Sequence, residues 1–232
     1  MRFERSLLPG TLVRRYKRFL ADVELGNGEV ITAHTANTGA MRGCSEPGSR
    51  VYLSVSDNPR RKYRHTLEVV QSGKVKVGVN TMLSNRLAEE AIREGVMAEL
   101  RGYSHLRREV PYGESSRVDL LLESADAPAC FVEVKNVTLV EATVALFPDA
   151  TTSRGARHMR ELARMVRKNA RAAVCFIVQR VDAKSFSPAA EIDPEYAGAL
   201  REAHALGVEV LAYRARVGVR EIKVEAALPV KL

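Results

Sequence analysis

Two acidic residues interrupt apolar runs in the middle of the chain: Asp119 within Arg117-Val118-Asp119-Leu120-Leu121-Leu122, and Glu133 within Ala129-Cys130-Phe131-Val132-Glu133-Val134-Lys135-Asn136. An unpaired carboxylate in an apolar setting is costly. The runs read as two antiparallel strands joined by Ser124-Ala125-Asp126-Ala127-Pro128, a loop of about five residues. With Glu123 opposite Ala129, Asp119 falls directly opposite Glu133. Such side chains have Cβ atoms about 4.5–5.5 Å apart, where like charges destabilise a sheet. A divalent cation removes the conflict. Mg²⁺ binds through one or two carboxylates and completes its shell with water and phosphate. The chemistry implied is metal-assisted phosphodiester hydrolysis, with Asp119 and Glu133 as ligands. Lys135 shares a strand face with Glu133 and would steady the scissile phosphate or the attacking water. The competing reading is a surface ionic cluster in which Lys135 bridges the two carboxylates.

The surrounding elements must place these groups. Ser84 or Asn85 caps a helix over about 86–101, with Leu87, Ala91, Val96 and Leu100 inward. The two strands follow at 117–122 and 129–136. A helix runs from Ser153 to Lys168, with Met159, Leu162, Ala163 and Val166 as its buried stripe. A strand at 172–179, a helix at 194–206 and a strand at 208–214 complete an α/β domain over 81–232. Asp193-Pro194 starts that last helix and Gly207 stops it.

Residues 1–80 differ in kind. Short β-branched segments at 12–25, 30–36, 51–56, 63–72 and 74–80 alternate with turn signals such as Gly26-Asn27-Gly28 and Asp57-Asn58-Pro59. Five strands in this length suit a small barrel of the oligonucleotide-binding (OB) kind. The fold class expected is therefore α+β in two domains.

Charge is divided just as unevenly. The chain has 232 residues and a formal net charge of +8, yet residues 1–80 carry 14 Lys/Arg against 7 Asp/Glu. That basic third favours a polyanion partner, DNA or RNA. Two clusters interleave cations with aromatics: Arg14-Arg15-Tyr16-Lys17-Arg18-Phe19 and Arg60-Arg61-Lys62-Tyr63-Arg64. The cations suit phosphates and the rings suit bases. Alternation divides the first cluster, with Arg15, Lys17 and Phe19 on one face and Arg14, Tyr16 and Arg18 on the other. In the 153–168 helix, Arg154 and Arg157 lead a further basic face. Amides of Thr152-Ser153-Arg154-Gly155 suit a phosphate, and a plain cap by Ser153 is the alternative. His158 reads as a packing or surface histidine, with proton transfer as the sharper alternative. His34 reads as structural, and Gly39 as the residue that gives the Asn37-Thr38-Gly39 turn its geometry.

Several classes drop out. Cys44, Cys130 and Cys175 are too scattered for a zinc site, and fit a reducing cytoplasm. No apolar run approaches the roughly 18 residues of a membrane span. The Met1-Arg2-Phe3-Glu4-Arg5 start lacks a signal-peptide core. No nucleotide-binding fingerprint or Ser-His-Asp arrangement is present, so no small-molecule cofactor is expected.

Val118-Asp119, a turn, and Glu133-Val134-Lys135 resemble the PD-(D/E)xK nuclease signature, with Val118 in place of proline. That resemblance implies metal ligands at Asp119 and Glu133 and a catalytic role for Lys135. It also implies an acidic residue from the first helix, Glu90 or alternatively Glu89. The whole chain resembles the sugar fermentation stimulation protein A family. The matching stretches are Leu12 to Phe19, Thr32 to Gly39, Val77 to Thr81, Phe131 to Thr138, Phe147 to Ala150 and Thr152 to Gly155. The family implies an OB-type barrel, a restriction-endonuclease-like domain with a mixed sheet, and DNA binding without strong sequence preference. It also implies a link to maltose gene regulation. Two functions remain open: a nuclease using one or two Mg²⁺ or Mn²⁺ ions, or a non-catalytic, sequence-tolerant DNA-binding regulator.

Overall fold

A computed structural model describes residues 1–112 and 116–232. Its N-terminal part is a barrel. Strands β1 (Leu8–Tyr16), β2 (Leu20–Leu25), β3 (Val30–His34), β4 (Arg50–Val55) and β5 (His65–Ser72) pair in the order β3-β2-β1-β4-β5, and a β3–β5 contact closes the ring. Strand β6 (Val75–Gly78) extends β5 as a hairpin outside that ring. Leu12, Val23, Leu53, Leu67 and Val70 fill the core. Each fully buried aliphatic side chain stabilises by about 1.5–3 kcal/mol.

The five-stranded barrel agrees with the sequence expectation, but its strands are cut differently. The single strand expected over 12–25 is a hairpin, β1 and β2. Lys17 and Arg18 both adopt left-handed backbone (φ 49° and 63°) at its tip. No glycine, proline or asparagine marks that turn, so composition gave no signal for it. That turn also ends the alternation expected for the first basic cluster after Tyr16, and a bulge between Leu12 and Arg14 lies just before the cluster.

The second part is a three-layer α/β/α unit. Helix α1 (Ser84–Arg93) precedes strands β7 (His105–Tyr112), β8 (Ser116–Ser124) and β9 (Ala127–Val137). A small sheet follows from β10 (Leu139–Glu141) and β11 (Val144–Phe147). Helix α2 (Ser153–Arg167) comes next, then β12 (Arg171–Val178), β13 (Ser185–Pro188), which joins the small sheet, α3 (Pro194–Ala205), β14 (Glu209–Val217) and β15 (Ile222–Ala227). The main sheet runs β15-β14-β12-β9-β8-β7, with β12 parallel to β9 and β14, and its other pairs antiparallel. Alternation along β12 divides the core. Val174 and Phe176 pack toward α2 and α3, while Cys175 and Ile177 pack toward α1. Among the described residues, no helix is long and apolar enough to cross a membrane.

Three details depart from expectation. The first helix stops at Arg93, because Gly95 takes φ 69° and the chain turns before a short 3-10 segment at 98–100. The β8–β9 connection is a two-residue turn, Ala125-Asp126, rather than a five-residue loop, because Ser124 and Ala127 already pair. The first residues leave the barrel for the other part: the Met1 amino group donates to the Ile222 carbonyl at 2.7 Å, and the Phe3 N–H to Arg220 at 3.0 Å.

Candidate metal and nucleic-acid site

Strands β8 and β9 pair through Leu120↔Val132, Leu121↔Phe131 and Leu122↔Cys130. One further step in that register brings Asp119 across from Glu133, and there the pairing ends. Val118 joins the core beneath α2, whereas Leu120 and Leu122 join the core beneath α1. Side-chain alternation therefore changes phase at Asp119. The freed backbone of β9 finds a partner in the same carboxylate: Val134 N–H donates to Asp119 Oδ2 at 2.7 Å. Asn85, from the first turn of α1, donates to Oδ1 at 2.9 Å.

Glu133 is almost fully buried, at 2% exposure. Its Oε1 accepts from Lys135 Nζ at 2.6 Å and from the His158 Nδ1–H of α2. Among the described residues its Oε2 has no hydrogen-bond partner. Arg154 Nε donates to His158 Nε2 at 3.2 Å. An arginine can only donate, so Nε2 accepts and the proton sits on Nδ1, directed at Glu133. Burial pushes the Glu133 carboxyl up, but Lys135 and His158 outweigh it and hold it below the usual range. Asp119 moves the other way. Burial and the charge of Glu133 push it up to about 6, against the Val134 amide, Lys135 and Asn85.

These groups line a cleft of about 610 Å³ between the two parts of the chain. One wall carries Asp119, Glu133, Lys135, Arg154 and His158; the barrel contributes Arg18, Asn37, Thr38 and Gly39. Asp149 seats the barrel loop, accepting the Met41 N–H on Oδ2 at 2.8 Å. A Cβ on Gly39 would lie 2.4 Å from Asp149 Oδ1. Gly39 is thus required by close approach and not by the turn geometry expected of it.

The structure brings together Asp119, Glu133, Lys135 and Arg154, and places Arg157 with Asp119 in an adjoining basin. It does not bring Glu90 or Glu89 into the cleft. Glu90 pairs with the Met1 amino group and Arg86, and Glu89 with Arg93 and Arg108. The position a helical carboxylate was expected to fill is held by Asn85. Among the barrel cations, Arg18 reaches the cleft and Lys17 is exposed beside it. Arg14 pairs with Asp22 at 2.8 Å. Arg15 turns inward, its Nη2 donating to the carbonyls of Arg18, Asn37 and Gly39 at 2.6, 2.9 and 2.8 Å. Arg60, Arg61, Lys62 and Arg64 lie on the exposed β4–β5 loop rather than on a strand. The α2 cap is Thr152, whose hydroxyl accepts from Gly155 N–H at 3.0 Å, and not Ser153.

The residues that sequence reasoning missed are Asn85, Asp149 and the orienting role of His158. His158 did leave a signal: it lies one residue before Met159 and four before Leu162, inside the buried stripe of α2. A buried polar side chain there requires a partner.

The donor set fits a hard divalent cation. It offers two carboxylates, one oxygen of which is buried and, among the described residues, unpartnered. Among the described residues no three His, Cys, Asp or Glu side chains converge as a closed metal cage. Two carboxylates with open positions match Mg²⁺, Mn²⁺ or Ca²⁺ chemistry and not structural zinc.

Residues 13–79 match the SfsA N-terminal OB domain, and residues 82–221 match the sugar fermentation stimulation protein RE domain. The chain is 56% identical over 232 residues to a sugar fermentation stimulation protein homolog of Citrifermentans bemidjiense, covering 100% of both. It is 57% identical over 226 residues to the homolog of Pelobacter propionicus, covering 97% of this chain and 98% of that one. Among solved structures it is similar to Pyrococcus furiosus SfsA in complex with Ca²⁺: TM-score 0.92, 30% identity, 100% of this chain and 98% of that chain covered.

Proposed function

The chain belongs to the sugar fermentation stimulation protein family, and from that premise we propose that it binds nucleic acid and hydrolyses phosphodiester bonds at a divalent-metal site on Asp119 and Glu133. The observation that carries this reading is Glu133: a nearly buried carboxylate on the cleft wall, with Oε1 occupied by Lys135 and His158 and Oε2 without a partner among the described residues. A buried charge with an unsatisfied oxygen is costly unless something neutralises it. The Ca²⁺ complex of the Pyrococcus furiosus relative supports divalent-ion binding here. Asp119 and Glu133 would hold Mg²⁺ or Mn²⁺, which would supply Lewis acidity toward a phosphodiester and toward water.

The chain's own residues do the rest. His158 fixes the rotamer of Glu133, and Arg154 fixes the tautomer of His158. Lys135, with 15% of its side chain exposed, holds a positive charge in the cleft for a phosphate oxygen. Arg18 faces the site from the barrel, and Lys17, Arg60, Arg61, Lys62 and Arg64 offer exposed cations along which a DNA or RNA backbone runs.

Purified protein incubated with single- and double-stranded DNA and RNA, with and without Mg²⁺ or Mn²⁺, tests this. Metal-dependent cleavage that disappears in Asp119→Ala is expected. Equal cleavage by wild type and Asp119→Ala, or none on any substrate, removes the hydrolytic reading and leaves a binding protein.

A further inference from the structure

Beside the main cleft lies a second basin of about 310 Å³, lined by Glu109, Ser116, Arg117, Asp119, Arg154, Arg157 and His158. It shares Asp119, Arg154 and His158 with the main cleft, so the two adjoin at one carboxylate. Its arginines behave unlike their neighbours. On α2, Arg160 pairs with Glu195 at 2.9 Å and Arg164 with Glu161 at 2.8 Å. Arg117 donates to the Glu109 carbonyl at 3.3 Å and Arg154 to His158. Among the described residues, none of Arg117, Arg154 and Arg157 forms an ion pair with a carboxylate. Three guanidinium groups therefore share one concavity, and among the described residues Glu109 is the only carboxylate on its wall besides Asp119.

We infer that this basin is a second phosphate-binding subsite, and that the substrate is a nucleic-acid strand continuing on both sides of the reacting phosphodiester. Arginine forks match phosphate oxygens in bidentate geometry. The attraction of an arriving phosphate to each guanidinium offsets the mutual repulsion among the three cations. The main cleft takes one flank of the strand beside Lys135 and Arg18. The basin takes the other flank at Arg117 and Arg157. A substrate held this way is cut internally, and a dinucleotide fills only part of the binding surface. This inference rests on the hydrolytic reading for its cleavage pattern, but its binding consequence stands apart.

The test measures fluorescence anisotropy of labelled oligothymidylates, from dinucleotide to dodecanucleotide, in metal-free buffer and in Ca²⁺ across a salt series. The proteins are wild type, Arg117→Ala/Arg157→Ala, and a control with the same charge change, Arg220→Ala/Lys231→Ala, whose exposed residues lie in the β14–β15 turn and beside β13, outside both cavities. Wild-type affinity should climb with length. The Arg117→Ala/Arg157→Ala variant should lose most of that climb, and its plot of log K against log salt should flatten by about 1.4, two contacts at about 0.7 each on a single strand. The control should follow wild type. Equal slopes in all three proteins, equal flattening in both variants, or no wild-type binding at any length overturns the subsite. Because binding is read without turnover, a protein that never cleaves still answers the question, and its failure to cleave speaks only against the hydrolytic reading.

Discussion

His158 donates its Nδ1 proton to Glu133 Oε1 across the space between α2 and β9, with both residues under 5% exposed. The two side chains form a single unit: the histidine cannot turn without leaving Glu133 Oε1 to Lys135, and Arg154 on Nε2 keeps the ring in the donating tautomer. Groups that orient a metal-binding side chain typically govern metal affinity by 10–100-fold. His158→Phe should therefore weaken Mg²⁺ or Mn²⁺ binding by about that factor. His158→Gln retains a donor and should recover most of the loss. Isothermal calorimetry of both variants checks this. Equal metal affinity in wild type and His158→Phe would remove His158 from the site.

Much of this site was legible in the sequence, and the rest was hidden for physical reasons. Asp119 and Glu133 announced themselves because charges interrupt apolar strands only at a cost. Their register matched expectation because the irregularity between Leu122 and Ser124 offsets the difference between a five-residue loop and the two-residue turn. The N-terminal barrel was legible from turn spacing, but the Lys17-Arg18 reversal was not, since its backbone lies where glycine is normally expected. Strand β7 escaped notice because five of its eight residues are exposed and its charges obscure any apolar rhythm. Glu90 shows the limit of carrying a family pattern onto a helix. Glu89 and Glu90 sit on adjacent faces with arginines, or the chain's amino group, in reach. Asn85, half a helix earlier, is the residue that meets Asp119. Nothing in spacing alone distinguishes those outcomes, because α1 is fixed by contacts to β8, β9, β12 and β15.

Asp119 makes the stability of the metal-free protein depend on pH. Its folded carboxyl is raised to about 6 by burial and by Glu133, against about 3.9 when unfolded. The folded state therefore binds the proton more tightly. The associated stability is present below about pH 4 and is lost as pH rises through 6. Asp119→Asn should then be more stable than wild type at pH 8, by on the order of 2 kcal/mol, with the advantage vanishing near pH 4. Saturating Mg²⁺ or Mn²⁺ should cancel the advantage at pH 8, because the ion stabilises wild type alone. Thermal unfolding of both proteins across this range, with and without metal, provides the measurement. A pH-independent difference would contradict charge strain at Asp119.

Asp149 and Gly39 should be coupled energetically. Asp149 holds the barrel loop by accepting the Met41 N–H, and a methyl group at Gly39 would collide with its carboxylate. Asp149→Ala should cost about 1–3 kcal/mol through the unpaired amide, and Gly39→Ala about 1–3 kcal/mol through overpacking. In the Asp149→Ala background the added methyl group no longer meets that carboxylate and has Asn37 Oδ1 at 3.0 Å as its close neighbour, so Gly39→Ala should cost less there. Urea unfolding of the two single variants and the double variant gives the coupling directly. Strict additivity would mean that the loop and Asp149 are not in contact in solution.

The basic residues of the barrel should separate into two groups by salt dependence. Arg15 is half-buried, burial pulls its guanidinium below the ordinary arginine range, and its Nη2 donates to three loop carbonyls. Arg15→Ala should lower stability, because those carbonyls lose their donor. It should leave the salt dependence of DNA binding unchanged wherever the protein remains folded. Lys62 is exposed on the β4–β5 loop, and its ammonium lies 5.5 Å from the Tyr63 ring centroid. Lys62→Ala should keep wild-type stability and flatten the slope of log K against log salt by about 0.7 on single strands or 0.9 on duplex. Urea midpoints together with salt titrations of DNA binding discriminate the two. A Lys62→Ala slope equal to wild type would take the β4–β5 loop out of the nucleic-acid path, and a flattened Arg15→Ala slope at unchanged stability would put Arg15 back into it.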